Sequence, residues 1–166
     1  VGLDPVTINS RFLAFSRLAF RLWPDKPKMI RGALGRPHQF DSHHAAFEFY
    51  RTKRAFSDIA DTELMDYVLA AHAPSDNGVD LRYSGAWEAC VYRSPPNLWK
   101  CFDHIHKPIH ILGGEHSYVI VPNVAERLKQ FRNVQFESID AGHLMPMEKP
   151  QETASFVTQC ISRHET

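Results

Sequence analysis

The protein has 166 residues, of which 43% are hydrophobic and 23% are charged, so the chain is long enough for one domain or slightly more with an ordinary core. Nineteen Lys and Arg residues balance nineteen Asp and Glu residues, which leaves no net charge to attract nucleic acid or an anionic membrane. No apolar run approaches the roughly 18 residues that cross a bilayer. The composition therefore excludes a simple electrostatic binder and predicts no nucleic-acid partner and no membrane span.

The opening residues, Val-Gly-Leu-Asp-Pro-Val, are typical of a short buried strand that Pro5 stops. A parallel strand needs neighbours on both sides to satisfy its backbone groups, and the chain does not begin with Met. We therefore expect the chain to be the C-terminal part of a longer protein. The open edge of this strand is expected to pair with the missing N-terminal half or with a second copy of the chain.

Residues 9–104 are predicted to be mostly short helices. Apolar spacing and capping residues favour helices over 9–23 with Ser10 as N-cap, within 25–37, from the cap Ser42 to residue 50, from Asp61 or Thr62 to residue 69, from the cap Ser84 to residue 91, and over 98–102. Residues 75–78 predict a turn, and residues 79–83 a short strand or an extended arm. These residues form a helical insert in the predicted organisation.

The last third of the chain alternates between strands and helices. The sequence predicts strands over 108–112, which Gly113 and Gly114 end, and over 134–139, with helices over 122–131 and 150–162. Such alternation is typical of right-handed βαβ crossovers in a parallel sheet. The expected class is therefore α/β, with boundaries at 1–8 for an opening core strand, 9–104 for the insert and 105–166 for the C-terminal core.

His143 is the strongest candidate for a functional residue. It follows Gly142 just after a predicted strand, and open parallel sheets place their reacting groups at the carboxyl ends of strands. A neutral imidazole there can take a proton from a nucleophile, provided that a carboxylate fixes its tautomer. The local sequence is equally compatible with a loop histidine that makes a structural hydrogen bond.

The motifs around His143 are similar to those of the C-terminal half of an α/β-hydrolase. They are Gly142-His143, Glu148-x-Pro150, Lys107-Pro-Ile-His-Ile-Leu-Gly-Gly-Glu115 and the opening Val1-Gly-Leu-Asp4-Pro-Val6, in the family's order. The resemblance implies a partial hydrolase core of about three parallel strands with a helical cap, or lid. It implies an esterase- or lipase-like enzyme for small apolar esters of carboxylic acids, with His143 as general base and without cofactor or metal.

The sequence departs from the family at the nucleophile. No Gly-x-Ser-x-Gly elbow is present, and the resemblance would place the elbow and the oxyanion-hole loop upstream of Val1. The chain alone is therefore expected to be inactive. Two alternatives remain: an epoxide hydrolase or dehalogenase with an Asp nucleophile, and a non-catalytic binding module with a hydrolase-like fold.

The orienting acid is also uncertain in the sequence. The resemblance implies an Asp three or four residues after Gly114, where the chain has Ser117 and Tyr118. Some members take the acid from the end of the strand after the nucleophile, and Asp4 has that place. Glu115 is the alternative acid.

Two further carboxylates near His143 receive other roles. Asp140 is interpreted as a solvated or turn-stabilising carboxylate. Glu148 is expected to anchor the start of the last helix, because negative charge is favourable there.

Three further sets of residues have plain structural interpretations. The segment with Cys101, His104, His106 and His110 has spacings that suit zinc, but a buried thiol and a strand histidine are the simpler interpretation.

The three cysteines are Cys90, Cys101 and Cys160, an odd and widely spaced set that favours a reducing compartment such as the cytoplasm. The insert is rich in aromatic residues, which form either its own core or the lining of an apolar substrate pocket.

Overall fold

The computed structural model describes residues 1–7 and 10–163, without the side chains of residues 10–12. The strands in this part of the chain are β1 (Gly2–Leu3), β2 (Gln39–Phe40), β3 (His72–Ser75), β4 (Gly78–Leu81), β5 (Ile109–Gly114) and β6 (Val134–Ile139). The α-helices there are α1 (Ser10–Leu22), α2 (Lys28–Leu34), α3 (His43–Arg51), α4 (Asp61–Ala71), α5 (Gly85–Arg93), α6 (Leu98–His104), α7 (Pro122–Leu128), α8 (Met145–Glu148) and α9 (Pro150–Ser162). The predicted first helical residue, Asn9, and the side chain of the predicted cap Ser10 lie outside the description.

The chain divides into two compact units. We call Val1–Ser10 with Asn97–Thr166 the core unit, and Arg11–Pro96 the insert unit. Helix α6 belongs to the core unit by its contacts. The domain boundaries inferred from the sequence, after residues 8 and 104, stay predictions.

The core unit is built on a parallel sheet with the order β1-β5-β6. Gly2 is aligned with Ile111 in the first pair of strands, and six consecutive residues of β5 are aligned with β6 in the second. The crossover from β5 to β6 contains α7, as expected for parallel strands. This sheet with its flanking helices confirms the predicted α/β class and the three parallel strands.

Strand β5 is the centre of the core because both of its faces are buried. Adjacent residues of a strand point to opposite faces, so Ile111 and Leu112 enter different hydrophobic clusters. The first cluster consists of Trp99, Phe102, Ile111, Ile120, Leu128 and Val134, and the second of Leu112, Ala141, Met145, Phe156 and Cys160. Packing on both faces fixes the strand whose end carries the loop from Glu115 onwards.

The insert unit is mainly helical, as predicted. The side chains of Ser42 and Ser84 accept hydrogen bonds from the first turns of α3 and α5, which confirms both predicted caps. The predicted cap at Asp61 or Thr62 is wrong: Ala60 precedes α4 and caps it without a side-chain hydrogen bond. None of the helices in the described residues has both the length and the apolarity to cross a bilayer.

A second, antiparallel sheet in the insert unit was not predicted. Its order is β2-β4-β3, and a tight turn joins β3 to β4 at the predicted turn. Gly78 is required in this turn, because its φ is +128° and a Cβ would lie 2.2 Å from the carbonyl oxygen of Phe40. Strand β4 overlaps the segment predicted as a short strand or extended arm, 79–83; β2 has two residues and β3 contains Pro74, so neither shows a periodicity.

The aromatic residues of the insert have two different environments. Phe40, Phe49, Tyr50, Phe56, Tyr67 and His72 form a network of ring contacts with centroid separations of 5.2 to 6.1 Å. Phe15, Trp23 and Trp87 are instead more than half exposed. The insert therefore has an aromatic core of its own and, in addition, exposed aromatic side chains.

Candidate functional site

The carboxyl ends of the three parallel strands carry the residues of the candidate site. Asp4 follows β1, Ser117 lies in the loop after β5, and His143 lies in the loop after β6. Parallel strands place these three ends at one edge of the sheet. Residues separated by more than 100 positions in the sequence are therefore in direct contact.

His143 and Asp4 form a short hydrogen bond. Nδ1 of His143 lies 2.6 Å from Oδ2 of Asp4. Because an ionised carboxylate can only accept, this contact favours the proton on Nδ1 and leaves Nε2 as the basic nitrogen. The His143 side chain is 28% exposed, and Nε2 has no hydrogen-bond partner among the described residues. The ring is thus oriented on one side and accessible on the other.

The Asp4 carboxylate is almost completely buried, with 1% of the residue exposed. Its Oδ1 accepts a hydrogen bond from the backbone N–H of Gly114 at 3.3 Å, and its Oδ2 accepts one from the Ser117 hydroxyl at 2.5 Å. Buried charge is costly unless it is hydrogen-bonded, and these donors together with His143 satisfy it. The local backbone is unusual as well, since Asp4 has a φ of +42°.

Glu148 holds the loop that carries His143. Its two carboxylate oxygens accept hydrogen bonds from the backbone N–H groups of Gly142 at 2.5 Å and Leu144 at 3.1 Å, on either side of the histidine. The expectation that Glu148 anchors the start of the last helix is therefore wrong, because its partners belong to the histidine loop. A Cβ on Gly142 would lie 2.8 Å from this carboxylate. Glycine is therefore favoured here because it leaves space for Glu148, and not because the backbone has a positive φ.

Tyr118 lies beside the imidazole of His143. The ring centroids are 5.3 Å apart and the planes are tilted by 58°, while 78% of Tyr118 is exposed. The exposed phenol ring therefore contacts the imidazole ring of His143. From the sequence, this position was expected to hold an acid, and no contact with His143 was predicted for it.

The other acidic candidates point elsewhere. Glu115, the alternative acid, accepts a hydrogen bond from Ser138 at 3.3 Å and does not contact His143. Asp140 lies 2.8 Å from Nε2 of His116, and both side chains are more than 70% exposed, as expected for a solvated carboxylate. Among the carboxylates near the histidine loop, Asp4 is therefore the one that contacts Nδ1.

The residues considered for zinc are not brought together. Cys101 is exposed, in contrast to the buried thiol that the sequence predicted, and His110 is buried in β5. In the described residues, no group of three or more His, Cys, Asp or Glu side chains is arranged to hold a metal ion.

The contribution of Ser117 was not predicted from the sequence. A carboxylate was expected near this position, whereas the hydroxyl that stands here contacts the carboxylate that follows β1. The signal in the sequence was weak, because a serine in a loop commonly bonds its own backbone two residues on. Only the approach of the β1 end to this loop gives the hydroxyl a partner outside its own loop.

Three solved structures illustrate what the fold resembles. An α/β hydrolase from Novosphingobium aromaticivorans matches 91% of this chain and 62% of its own, at 18% identity and a TM-score of 0.66. E-2-(acetamidomethylene)succinate hydrolase matches 95% of this chain and 66% of its own, at 19% identity and a TM-score of 0.63. An esterase from M. tuberculosis matches 95% of this chain and 52% of its own, at 16% identity and a TM-score of 0.61. No protein-family model and no curated protein matches the sequence.

These likenesses define the fold. The chain has the α/β-hydrolase fold, and it spans between half and two thirds of the length of these three hydrolase structures. It thus contains part of an α/β-hydrolase fold, as the motifs around His143 predicted. The parallel sheet β1-β5-β6 is the part of the core that it contains.

Proposed function

We propose that this chain supplies the acid–base part of a serine hydrolase that cleaves apolar carboxylic esters. His143 acts as the general base, and Asp4 orients its ring and stabilises the imidazolium that forms. The nucleophilic serine and the oxyanion hole lie outside these 166 residues in this proposal. The chain by itself is accordingly expected not to turn over an ester.

The hydrogen bond between Asp4 and His143 is the observation that carries the proposal. It supplies the carboxylate that a histidine general base requires. This carboxylate follows β1, at the strand end from which some members of the similar family take their acid. In the reaction, Nε2 takes the proton from the nucleophile as it attacks the ester carbonyl, and then returns that proton to the leaving alcohol. The 28% exposure of the ring is compatible with access to both groups.

The preference for an apolar ester is inferred from two features. The insert unit exposes large apolar side chains, among them Phe15, Leu18, Trp23 and Trp87. One of the similar structures is an esterase. An epoxide hydrolase or dehalogenase with an Asp nucleophile would use the same histidine and acid, and the nucleophile distinguishes the two.

A binding module without activity is the less supported alternative. The argument for such a module is that positions 117 and 118 hold no acidic residue. The contact of His143 with Asp4 supplies an acid from another strand, which favours an enzyme.

The test is the substitution His143→Ala in the complete protein, assayed with 4-nitrophenyl esters of increasing chain length. We expect kcat to fall by roughly 10³-fold or more while KM changes little, because general-base assistance is lost and binding is not. The matched control is His116→Ala, which removes an exposed histidine from a neighbouring loop and should leave kcat within about twofold, as surface changes usually do. Near-normal turnover in His143→Ala would refute the proposal.

A second measurement identifies the nucleophile. A serine-directed phosphonate should label the complete protein at one serine upstream of Val1, and prior labelling should abolish hydrolysis. Esterase activity without labelling would exclude the serine mechanism. Turnover of an epoxide or haloalkane in its place would establish the Asp alternative.

A further inference from the structure

Each hydrogen-bonding site of the Ser117 hydroxyl has a partner. Oγ accepts hydrogen bonds from the backbone N–H groups of Val119 at 2.9 Å and Ile120 at 3.4 Å. A serine hydroxyl has two acceptor lone pairs and one hydrogen to donate. Because both lone pairs are occupied, the hydrogen is directed at Oδ2 of Asp4, 2.5 Å away.

The oxygen that accepts from Ser117 is also the one that contacts His143. Oδ2 of Asp4 therefore receives two donors, while Oδ1 receives the backbone N–H of Gly114. Rotation of the carboxylate about its Cβ–Cγ bond would break all three bonds at once. Gly114 ends β5 and Ser117 lies in the loop that follows it. This part of the chain therefore fixes the orientation of the Asp4 carboxylate towards His143.

We propose that Ser117 is a positioning residue, whose hydroxyl holds the Asp4 carboxylate in the orientation that Nδ1 of His143 requires. This inference rests on the proposed function and deepens it. Ser117 acts through Asp4 and does not touch the reacting atoms. Without its hydrogen bond, the carboxylate gains rotational freedom, and Nε2 of His143 is less often aligned for proton transfer.

The first test uses proton NMR of the Nδ1–H of His143 in the complete protein and requires no activity. Ser117→Ala is expected to accelerate exchange of this proton with water by about tenfold, the ratio that corresponds to losing one hydrogen bond to a charged group. Ser117→Thr keeps the hydroxyl and should exchange like the unchanged protein. Ser138→Ala is the matched control, because Ser138 contacts Glu115 and not Asp4.

Unchanged exchange in Ser117→Ala would overturn the proposal. If that variant does not fold, Ser117→Cys takes its place, since a thiol is a weak donor of similar size and should also accelerate exchange. Exchange in Ser117→Cys equal to that in the unchanged protein would then overturn it.

The second test is a double-mutant cycle on kcat in the complete protein. Ser117→Ala should lower kcat by about tenfold with KM unchanged, and Ser117→Thr should restore it. In an Asp4→Asn background, Ser117→Ala should have almost no further effect, because the group through which it acts is gone. An equal loss in both backgrounds would show a purely structural role and overturn the proposal. Absence of any ester hydrolysis would instead refute the proposed function, and the NMR test would still decide on Ser117.

Discussion

Asp4 combines a backbone conformation and a side-chain position that few residues can supply together. Its φ of +42° lies in the left-handed region, where Asp and Asn are tolerated better than most residues. Its N–H donates to the carbonyl of Leu112 at 2.7 Å, so the pairing with β5 continues while the chain turns. The turn carries the carboxylate into the buried space beside His143.

We expect Asp4→Asn to lower kcat of the complete protein by about 10³- to 10⁴-fold. The amide keeps the shape and the tolerance of positive φ, but its charge is lost and it favours the wrong tautomer of His143. Steady-state kinetics with the apolar ester should show this loss without a change in the thermal midpoint beyond a few degrees. The control is Asp140→Asn, which alters an exposed carboxylate bound to His116 and should retain activity. Comparable kcat in both variants would contradict the role of Asp4.

The ends of β5 and β6 are joined beyond the regular strands. The N–H groups of Glu115 and His116 donate to the carbonyls of Ile139 and Ala141 at 2.9 and 3.1 Å. This close approach depends on Gly114, where a Cβ would lie 2.4 Å from the carbonyl oxygens of Ala141 and of the residue that follows it. The two loops of the candidate site are therefore positioned by backbone contacts that leave no room for a side chain.

Gly114→Ala is accordingly expected to destabilise the core unit by about 1 to 3 kcal/mol, the usual cost of overpacking. The substitution also moves the N–H that donates to Asp4, so activity of the complete protein should fall. Urea unfolding measures the first effect and kcat the second. The matched control is Gly32→Ala in α2, where nothing lies within 4 Å of the added methyl group. Gly32→Ala should be neutral or stabilising by about 0.5 to 1 kcal/mol, and a stable Gly114→Ala variant would contradict the argument.

The whole molecule contains two compact units, and one of them holds a buried histidine with a shifted pKa. In the insert unit, His72 is 1% exposed and its Nδ1 lies 2.9 Å from the carbonyl of Val68. Burial lowers the pKa of His72 below its usual 6.5; the hydrogen bond to Val68 raises it and the charge of His43 lowers it further.

In the core unit, β1 is paired with β5 and with no other described strand. The association of this unit through the open edge of β1 stays a prediction.

The lowered pKa of His72 makes the free energy of unfolding depend on pH. Below about pH 6.5 the unfolded chain binds a proton that the folded chain does not, so stability should fall as the pH decreases from there towards the folded pKa. Urea unfolding at pH 8 and at pH 5 measures this difference. His72→Asn keeps a donor but does not titrate, and its loss of stability between these two pH values should be smaller. The exposed His44→Asn is the control, and the same pH dependence in all three proteins would exclude His72 as the cause.

Much of the fold could be predicted from local signals. The apolar residues of β5 and β6, the capping serines of α3 and α5 and the helix α9 after Pro150 each lie within one short segment. Periodicity and caps act over a few residues, so the sequence displays them directly. In the second sheet, β4 overlaps the strand or arm predicted over 79–83, whereas β2 has two residues and β3 contains Pro74, so these two strands show no periodicity in the sequence.

By itself, the sequence determined the α/β class, the parallel sheet and the candidate histidine at a strand end. Two candidate acids, Asp4 and Glu115, remained open there, because neither is near His143 in the chain. Only the tertiary structure brought Asp4 to 2.6 Å from Nδ1, placed Glu115 beside Ser138 and gave the Ser117 hydroxyl the Asp4 carboxylate as an acceptor. The physical reason is that a carboxylate orients a histidine through a hydrogen bond of under 3 Å, and the pairing of β1 with β5 sets that distance.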